Sequence, residues 1–513
     1  MTLALVGLVA IVFWFSADAR TQFLLKNSAR LVAGMWAIAL PAGVSLAVLL
    51  VKTDMPCRRL ILAILVALAF MPLAIQAGAW QAGLGVEGVW RSDRSLAPQI
   101  AGLWGAIWVH GLAAAPWIAL FASLGLLRVE RELEEAMLLD APPWIVLVQV
   151  SLRRAGPAIL AGALWTAAQA SADISVTDLF QVRTFAEEIY TGIAVGDWTD
   201  GQPLEATTSG ALFALFAAVA ILGVWQLTMT FPTRYQSPWR WRLGAGRWLA
   251  LGFAVVILLF TAGLPLGHLI HKAGIQVEQA GTQRERTWSA RQCVVLVASG
   301  YEDHRTEYDW SLQIAATAAT AAVFLALPLA WLAREGSWKV VPATVVAALT
   351  LAMPGPLLGL ALIEWMNRPD LPWLATLYDR TILAPALAQL FKALPPVILV
   401  LMFGFASIPQ AVLETARLDG LGRWRACWHV GIASRRANLV AAWIAGFVVA
   451  WGELSATILV APPGVSTVPI RLFGLLHYGV QDQVAGICLV TILGVVILGA
   501  TVAWMTHVRE SSD

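Results

Sequence analysis

Charge is scarce in this chain. Only 13% of its 513 residues are Asp, Glu, Lys or Arg, while 59% are hydrophobic. Soluble domains have about 25% charged and about 45–50% apolar residues, so an ordinary soluble enzyme is excluded. The formal net charge of +2 gives no basis for a nucleic-acid partner. Cysteine is also sparse. Cys57, Cys293, Cys427 and Cys488 are scattered, with no CxxC or His-paired spacing, and read as unpaired structural residues. There is no G-x4-GK[ST], HExxH or GxSxG, and Gly420-Leu421-Gly422 lacks the third glycine of a dinucleotide fingerprint. No catalytic residue, metal site or cofactor is expected in this chain. Its energy source must be another chain or an ion gradient.

The apolar residues collect in runs of the length a bilayer requires, about 20 for a spanning helix. Candidate spans lie near 2–17, 31–51, 60–80, 101–127, 156–180, 207–230, 248–271, 310–333, 340–365, 381–404, 437–461 and 484–507. The first lacks a preceding basic region and a following A-x-A-like cleavage site, and reads as a retained helix. The fold class expected is all-α, a polytopic membrane protein of about twelve transmembrane helices.

A break falls at Phe231–Arg247, which carries Pro, Gly and four arginines but no apolar run. It divides the chain into a first repeat (1–231), a linker (232–247) and a second repeat (248–513), with about six spans on each side. The two sides share landmarks. Glu135, Leu139 and Asp140 map onto Glu414, Leu418 and Asp419 at a displacement of 279. Met71-Pro72 recurs as Met353-Pro354, and Lys52 recurs as Arg334, both displaced by 282. Asp173-Ile174-Ser175-Val176-Thr177 recurs as Glu453-Leu454-Ser455-Ala456-Thr457, displaced by 280. Matched order at matched spacing reads as a tandem 6+6 repeat of parallel topology. Transporter repeats place the substrate route at their interface. Short basic loops face the cytoplasm. Putting Arg128–Arg154 and Arg417–Arg436 inside makes both termini cytoplasmic. The largest outer segment is then Lys272–Asp309, read as a small extracytoplasmic loop on the bundle surface.

The most informative pair is LEEAMLLDA (Leu133–Ala141) and LETARLDG (Leu413–Gly420), each within a charged loop near 128–157 and 405–437. Acid early and base late suits a helix dipole. Gly420 can close the second helix in the left-handed conformation. Pro142-Pro143 stops the first, because proline cannot continue a helix. One such helix could be a snorkelling surface segment. Two at matched positions read as a docking device.

The shared pattern E-x3-LD-[GA], Glu135 to Ala141 and Glu414 to Gly420, between the fourth and fifth spans of a six-span unit resembles the EAA loop of permeases in binding-protein-dependent ABC importers. Two copies in one chain resemble the fused branch that includes ferric-iron and thiamine importers. ADISVTDLF and GELSATILVAPPG look closer to the ferric-iron type than to the sugar type. The resemblance implies the ABC importer permease fold and a bacterial inner-membrane location. The partners it implies are an ATP-binding cassette ATPase dimer holding ATP and Mg, an extracytoplasmic substrate-binding protein and the lipid bilayer. It assigns ATPase coupling to Glu135, Ala136, Leu139, Asp140 and Ala141, and to Glu414, Ala416, Leu418, Asp419 and Gly420. The sequence departs from the pattern at several points. The family glycine is Ala141 in the first copy, and Met137 stands where Ala416 stands in the second. The usual Leu-Pro is replaced by Leu152-Arg153 and Ile432-Ala433, and the first loop is one residue shorter. Unequal contacts with the two ATPases are therefore expected.

Asp173 and Glu453 are acids in otherwise apolar spans. Intramembrane acids usually face an interior or a water-filled path. With Ser175 and Ser455 they form a candidate translocation path; the alternative is that both cap neighbouring backbone. Lys392 is read as snorkelling or pairing with a carbonyl, and His110 and His477 as non-ligands. Pro72, Pro354, Pro395 and Pro396 imply kinks. The permease of an ATP-driven importer, with ferric iron or another small cation or solute as cargo, explains most of these features. A 6+6 secondary transporter explains the spans and acids but not the paired loops. A non-transporting membrane enzyme or scaffold would need a polar constellation beyond Asp173 and Glu453.

Overall fold

The computed structural model describes residues 19–85, 88, 100–195, 238–280 and 283–510. The apolar runs form helices because only internal hydrogen bonding satisfies a backbone in hydrocarbon. In order they are α1 (Ala19–Lys52), α2 (Arg58–Ala69), α3 (Leu73–Leu84), α4 (Gly102–Leu126), α5 (Arg131–Met137), α6 (Pro143–Ala172), α7 (Ser175–Leu179), α8 (Phe185–Val195) and α9 (Gly246–Gly274). An antiparallel hairpin follows, β1 (Ile275–Ala280) and β2 (Gln283–Trp288). Then come α10 (Ala290–Glu302), α11 (Arg305–Ala333), α12 (Val341–Ala352), α13 (Gly355–Met366), α14 (Pro372–Arg380) and α15 (Leu383–Ala406). The chain ends through α16 (Gln410–Leu418), α17 (Arg423–Ile432), α18 (Arg436–Trp451), α19 (Thr457–Val460), α20 (Val468–His477) and α21 (Gln481–Glu510).

Among the described residues six helices are long and apolar enough to cross a membrane, and three bent pairs raise the number to nine. The protein is an all-α polytopic membrane protein with one small hairpin. The expected spans near 2–17 and 207–230 lie outside the described residues. The spans expected near 60–80 and 340–365 are not single rods. α2 and α3 meet at 99°, and α12 and α13 at 100°. Pro72 and Pro354 sit at the corners with extended backbone. Proline lacks an N–H and pushes the residue before it out of the helical region, so the expected kink becomes a right-angled break. The polar segment expected as an outer loop after Lys272 holds the hairpin and α10.

Two compact units form. The first holds α1–α10 together with Ile470–Val495; the second holds Thr306–Pro469. In the first, α1 and α4 cross closely. A Cβ at Gly43 would lie 2.6 Å from Ile118, and one at Gly111 would lie 2.9 Å from Ile38. Small residues let membrane helices approach in this way. One core gathers Leu46, Leu50, Ile61, Leu65, Leu126, Ala155 and Ile257 from α1, α2, α4, α6 and α9. In the second unit Leu358, Leu362, Ala384, Ala388, Ala456 and Val460 pack α13, α15 and α19 together. The described part of the expected linker is docked on the first unit. Trp241 N–H donates to the Lys52 carbonyl at 2.7 Å, and Leu243 N–H to Asp54 Oδ1 at 2.9 Å.

The units share local devices. Ser28 Oγ accepts from Phe185 N–H at 3.3 Å, and Ser311 Oγ from Val468 N–H at 2.8 Å. π turns occur at Leu147–Leu152 in α6 and Cys427–Ile432 in α17. Trp36 on α1 donates from Nε1 to the Ala163 carbonyl on α6 at 3.1 Å. In the second unit the indole sits on the other partner, with Trp443 Nε1 on α18 donating to Thr320 Oγ1 on α11 at 3.0 Å.

Candidate functional site

Glu130 precedes α5, and Glu132 and Glu134 lie in its first turn, where carboxylates suit the positive end of a helix. Glu135 is exposed and pairs with Arg131 at 2.6 Å. Ala136 and Asp140 are exposed, and Ala141 is half-buried. The helix closes without a left-handed residue. Asp140 and Ala141 both donate to the Met137 carbonyl, at 3.1 and 2.9 Å, and Pro142-Pro143 then starts α6.

α16 closes differently. Gly420 has φ +76°. Its N–H donates to the Arg417 carbonyl, and Leu421 N–H to the Ala416 carbonyl, both at 3.0 Å. That is a Schellman closure. Ala416 is buried, while Glu414, Asp419 and Gly420 are exposed. Leu139 and Leu418, at matched positions, are 86% and 87% exposed. Trp144 and Trp424, also matched, follow each turn with exposed rings.

The residue that fixes α5 is one the sequence reading passed over. Glu134 is fully buried. Its Oε1 accepts from Lys52 Nζ at 2.6 Å and from Ser151 Oγ at 2.5 Å. The signal was available, since Glu134 matches Leu413, an apolar and buried residue on α16. In the second unit the positions matching Lys52, Glu134 and Ser151 are Arg334, Leu413 and Gly431. A buried indole fills that space. Trp331 Nε1 donates to the Arg423 carbonyl at 3.1 Å, and a Cβ at Gly431 would lie 2.7 Å from the ring. The Arg334 guanidinium stacks 3.9 Å from the Trp331 centroid. Glu335 binds Lys339, and Arg423 Nε lies 3.2 Å from its carboxylate. The Lys339 bond and these cations hold the Glu335 carboxyl below its ordinary value.

Asp173 and Glu453 are both buried, and both cap a short helix. Asp173 accepts from the N–H of Ser175 and Val176 at 3.2 and 2.9 Å, and from Ser175 Oγ at 2.5 Å. His110 Nε2 lies 3.4 Å from its Oδ2. Glu453 accepts from the N–H of Ala456 and Thr457 at 2.7 and 3.0 Å, and from Thr457 Oγ1. Ser175 and Ser455 are buried beside them. A Cβ at Gly355 would clash with Ser455, so the corner between α12 and α13 packs directly on this segment. Lys392 Nζ donates to the Met353 carbonyl at that corner. No group of three metal-ligating side chains occurs among the described residues. His477 pairs with Asp178 at 2.9 Å.

These features define a multi-pass membrane protein with two short polar helices and two right-angled helix breaks at matched positions of the sequence. No family model matches the chain. Three curated relatives are transport permeases. The chain is 25% identical over 203 residues to the trimethylamine N-oxide transport system permease protein TmoV of Ruegeria pomeroyi, covering 35% of this chain and 30% of the relative. It is 30% identical over 129 residues to the inner membrane ABC transporter permease protein YcjP of Escherichia coli, covering 24% and 45%. It is 26% identical over 189 residues to the putative molybdenum transport system permease protein YvgM of Bacillus subtilis, covering 33% and 79%. The chain thus spans less than half the length of the first two.

Proposed function

We propose that the chain is a fused, duplicated permease of a binding-protein-dependent ABC importer in the bacterial inner membrane, with both termini cytoplasmic. One observation carries the reading. Leu139 and Leu418 stand almost wholly exposed at matched turns of two short polar helices. A large apolar side chain held out of the fold at both places suits a partner with two equivalent grooves, an ATPase dimer. That partner binds ATP and Mg, and this chain supplies no catalytic residue. The similarity to transport permeases supports the same reading.

The right-angled corners at Met71-Pro72 and Met353-Pro354 suit helices that line a path, because irregular backbone at membrane depth is tolerated only inside protein or beside a cavity. Asp173 and Glu453, with Ser175 and Ser455, would serve the path by fixing the short helices α7 and α19 beside it. An extracytoplasmic binding protein would deliver the cargo. Ferric iron or another small cation or solute is the cargo suggested by the resemblance to the fused importers. Trimethylamine N-oxide and molybdenum, named for two relatives, are the competitors to assay beside it.

The test uses Leu139→Ser and Leu418→Ser in detergent-solubilised protein mixed with its ATPase. Surface substitutions change stability by about 0.5 kcal/mol or less, so thermal unfolding should not move while ATPase association falls. Association unchanged in the double variant, or uptake that survives ATP depletion with an ion gradient intact, removes the importer reading.

A further inference from the structure

Lys52 stands where three segments meet. Its ammonium binds Glu134 on α5 at 2.6 Å, with the two side chains 1% and 0% exposed. Ser151, inside the π turn of α6, donates to the same carboxylate oxygen. The Lys52 carbonyl accepts from Trp241 N–H, in the segment that leads into α9. Asp54, two residues on, accepts from Leu243 N–H. A single loop therefore joins the docking helix, the end of α1, the π turn and the approach to α9.

The second unit has no such junction at the matched place. Leu413 is apolar there, Gly431 has no side chain, and Trp331 packs into the space. Its ionic contact, Glu335 with Arg423, lies nearer the surface. The two solutions differ physically. Apolar contact is non-directional and tolerates sliding. A desolvated ion pair does not, because a small displacement leaves a buried charge unpaired. The second carboxylate oxygen of Glu134 is already buried without a hydrogen bond, so the pair has no spare partner to shift onto.

We propose that Lys52 and Glu134 are positioning residues for energy coupling. They lock the register of the first docking helix to α1 and, through the Lys52 carbonyl, to the chain entering α9. The first docking helix is then a rigid transmitter, and the second a compliant one. The inference rests on the importer reading above.

The experiment uses the full complex of this chain, its ATPase and its binding protein in liposomes. The readout is the stimulation of ATP hydrolysis by the binding protein, which needs no knowledge of the cargo. Replacing both partners of a buried ion pair with apolar residues is often neutral or stabilising. The double variant Lys52→Met/Glu134→Leu, made together with Ser151→Ala so that no buried hydroxyl loses its acceptor, should therefore unfold at an unchanged or higher temperature. Its stimulation ratio should fall about tenfold, within the range of ordinary coupling free energies. The charge-swapped Lys52→Glu/Glu134→Lys should recover most of the ratio. Trp241→Pro removes the N–H on the Lys52 carbonyl together with the indole, so it is compared with Trp241→Ala, which keeps the N–H. The ratio should fall in the proline variant and not in the alanine variant, with the ATPase still bound in both. An equal ratio in the two would overturn the role of the carbonyl. A double apolar variant with the wild-type ratio overturns the proposal. Should that variant fail to fold, the swapped variant decides. A folded swap with a normal ratio supports register locking, and a folded swap with a tenfold loss overturns it. Failure of the wild-type complex to bind an ATPase would instead remove the importer reading.

Discussion

Lys392 Nζ donates to the main-chain carbonyl of Met353 at 2.6 Å, across 39 positions of sequence. The acceptor lies at the corner where Pro354 ends α12. The corresponding carbonyl in the first unit, Met71, receives Gln76 Nε2 at 3.5 Å. Freed backbone at a helix break in a membrane is re-satisfied by nearby side chains, and the second corner has the stronger donor.

Lys392→Met should therefore destabilise the protein by about 1 kcal/mol, the net worth of a hydrogen bond at a part-buried acceptor. Gln76→Leu, which removes a longer and weaker contact, should cost less. Thermal unfolding in detergent compares the two. Equal shifts would show that the lysine does not hold the corner.

Gly420 and Ala141 close matched helices in different ways. Gly420→Ala places a Cβ in the left-handed region, at a cost of about 1–2 kcal/mol. Ala141→Gly should be nearly silent. ATP-driven uptake should accordingly fall more in Gly420→Ala than in Ala141→Gly, and more in Glu414→Ala than in Glu135→Ala. Equal loss from both loops would remove the asymmetry and leave the docking role standing.

Asp173→Ala and Glu453→Ala each remove a helix cap, typically worth about 1 kcal/mol, and should lower the unfolding temperature. Asp173→Asn keeps an acceptor for the Val176 N–H and should hold the fold. Uptake by Asp173→Asn and Glu453→Gln at normal protein level then isolates the path role. Undiminished uptake by both would reduce the two acids to caps.

Glu335 provides a pH test outside the membrane spans. Its carboxyl is lowered from an ordinary value of 4.5 by the Lys339 bond and by Arg423 and Arg334. A lowered acid stabilises the fold fully above its unfolded value and loses that contribution as pH falls through the native one. Acid unfolding of Glu335→Gln should thus show a shallower pH dependence below about 4.5 than the wild type. Parallel acid-unfolding curves would exclude a role for the cluster.

Much of the architecture was legible because hydrocarbon enforces it. The spans near 101–127 and 381–404 became α4 and α15 within a few residues, since an apolar run of that length with at most one charge has few alternatives. The corners were half legible. Met71-Pro72 and Met353-Pro354 announced an interruption, but the right angle comes from packing, such as Ser455 against Gly355. Glu134 was illegible as a core residue because a carboxylate is normally read as exposed. Its burial depends on Lys52, 82 positions away, and only the comparison with Leu413 betrays it. His110 looked isolated for the same reason, since Asp173 reaches it through the fold.

The π turn at Leu147–Leu152 takes up one residue more than the regular spiral holds. An α-helix advances about 100° per residue, so the same extra residue in a plain spiral would turn everything beyond it through about that angle. The wide turn absorbs the residue and leaves the far half of α6 in phase with the near half. Gly162 accordingly meets Phe121, and Trp165 meets Trp117, whose ring centroid lies 5.2 Å away. The turn thus works as slack in the spiral. Deleting one residue within it should leave those two contacts in place, whereas deleting one residue further along α6 should turn the rest of the helix out of register.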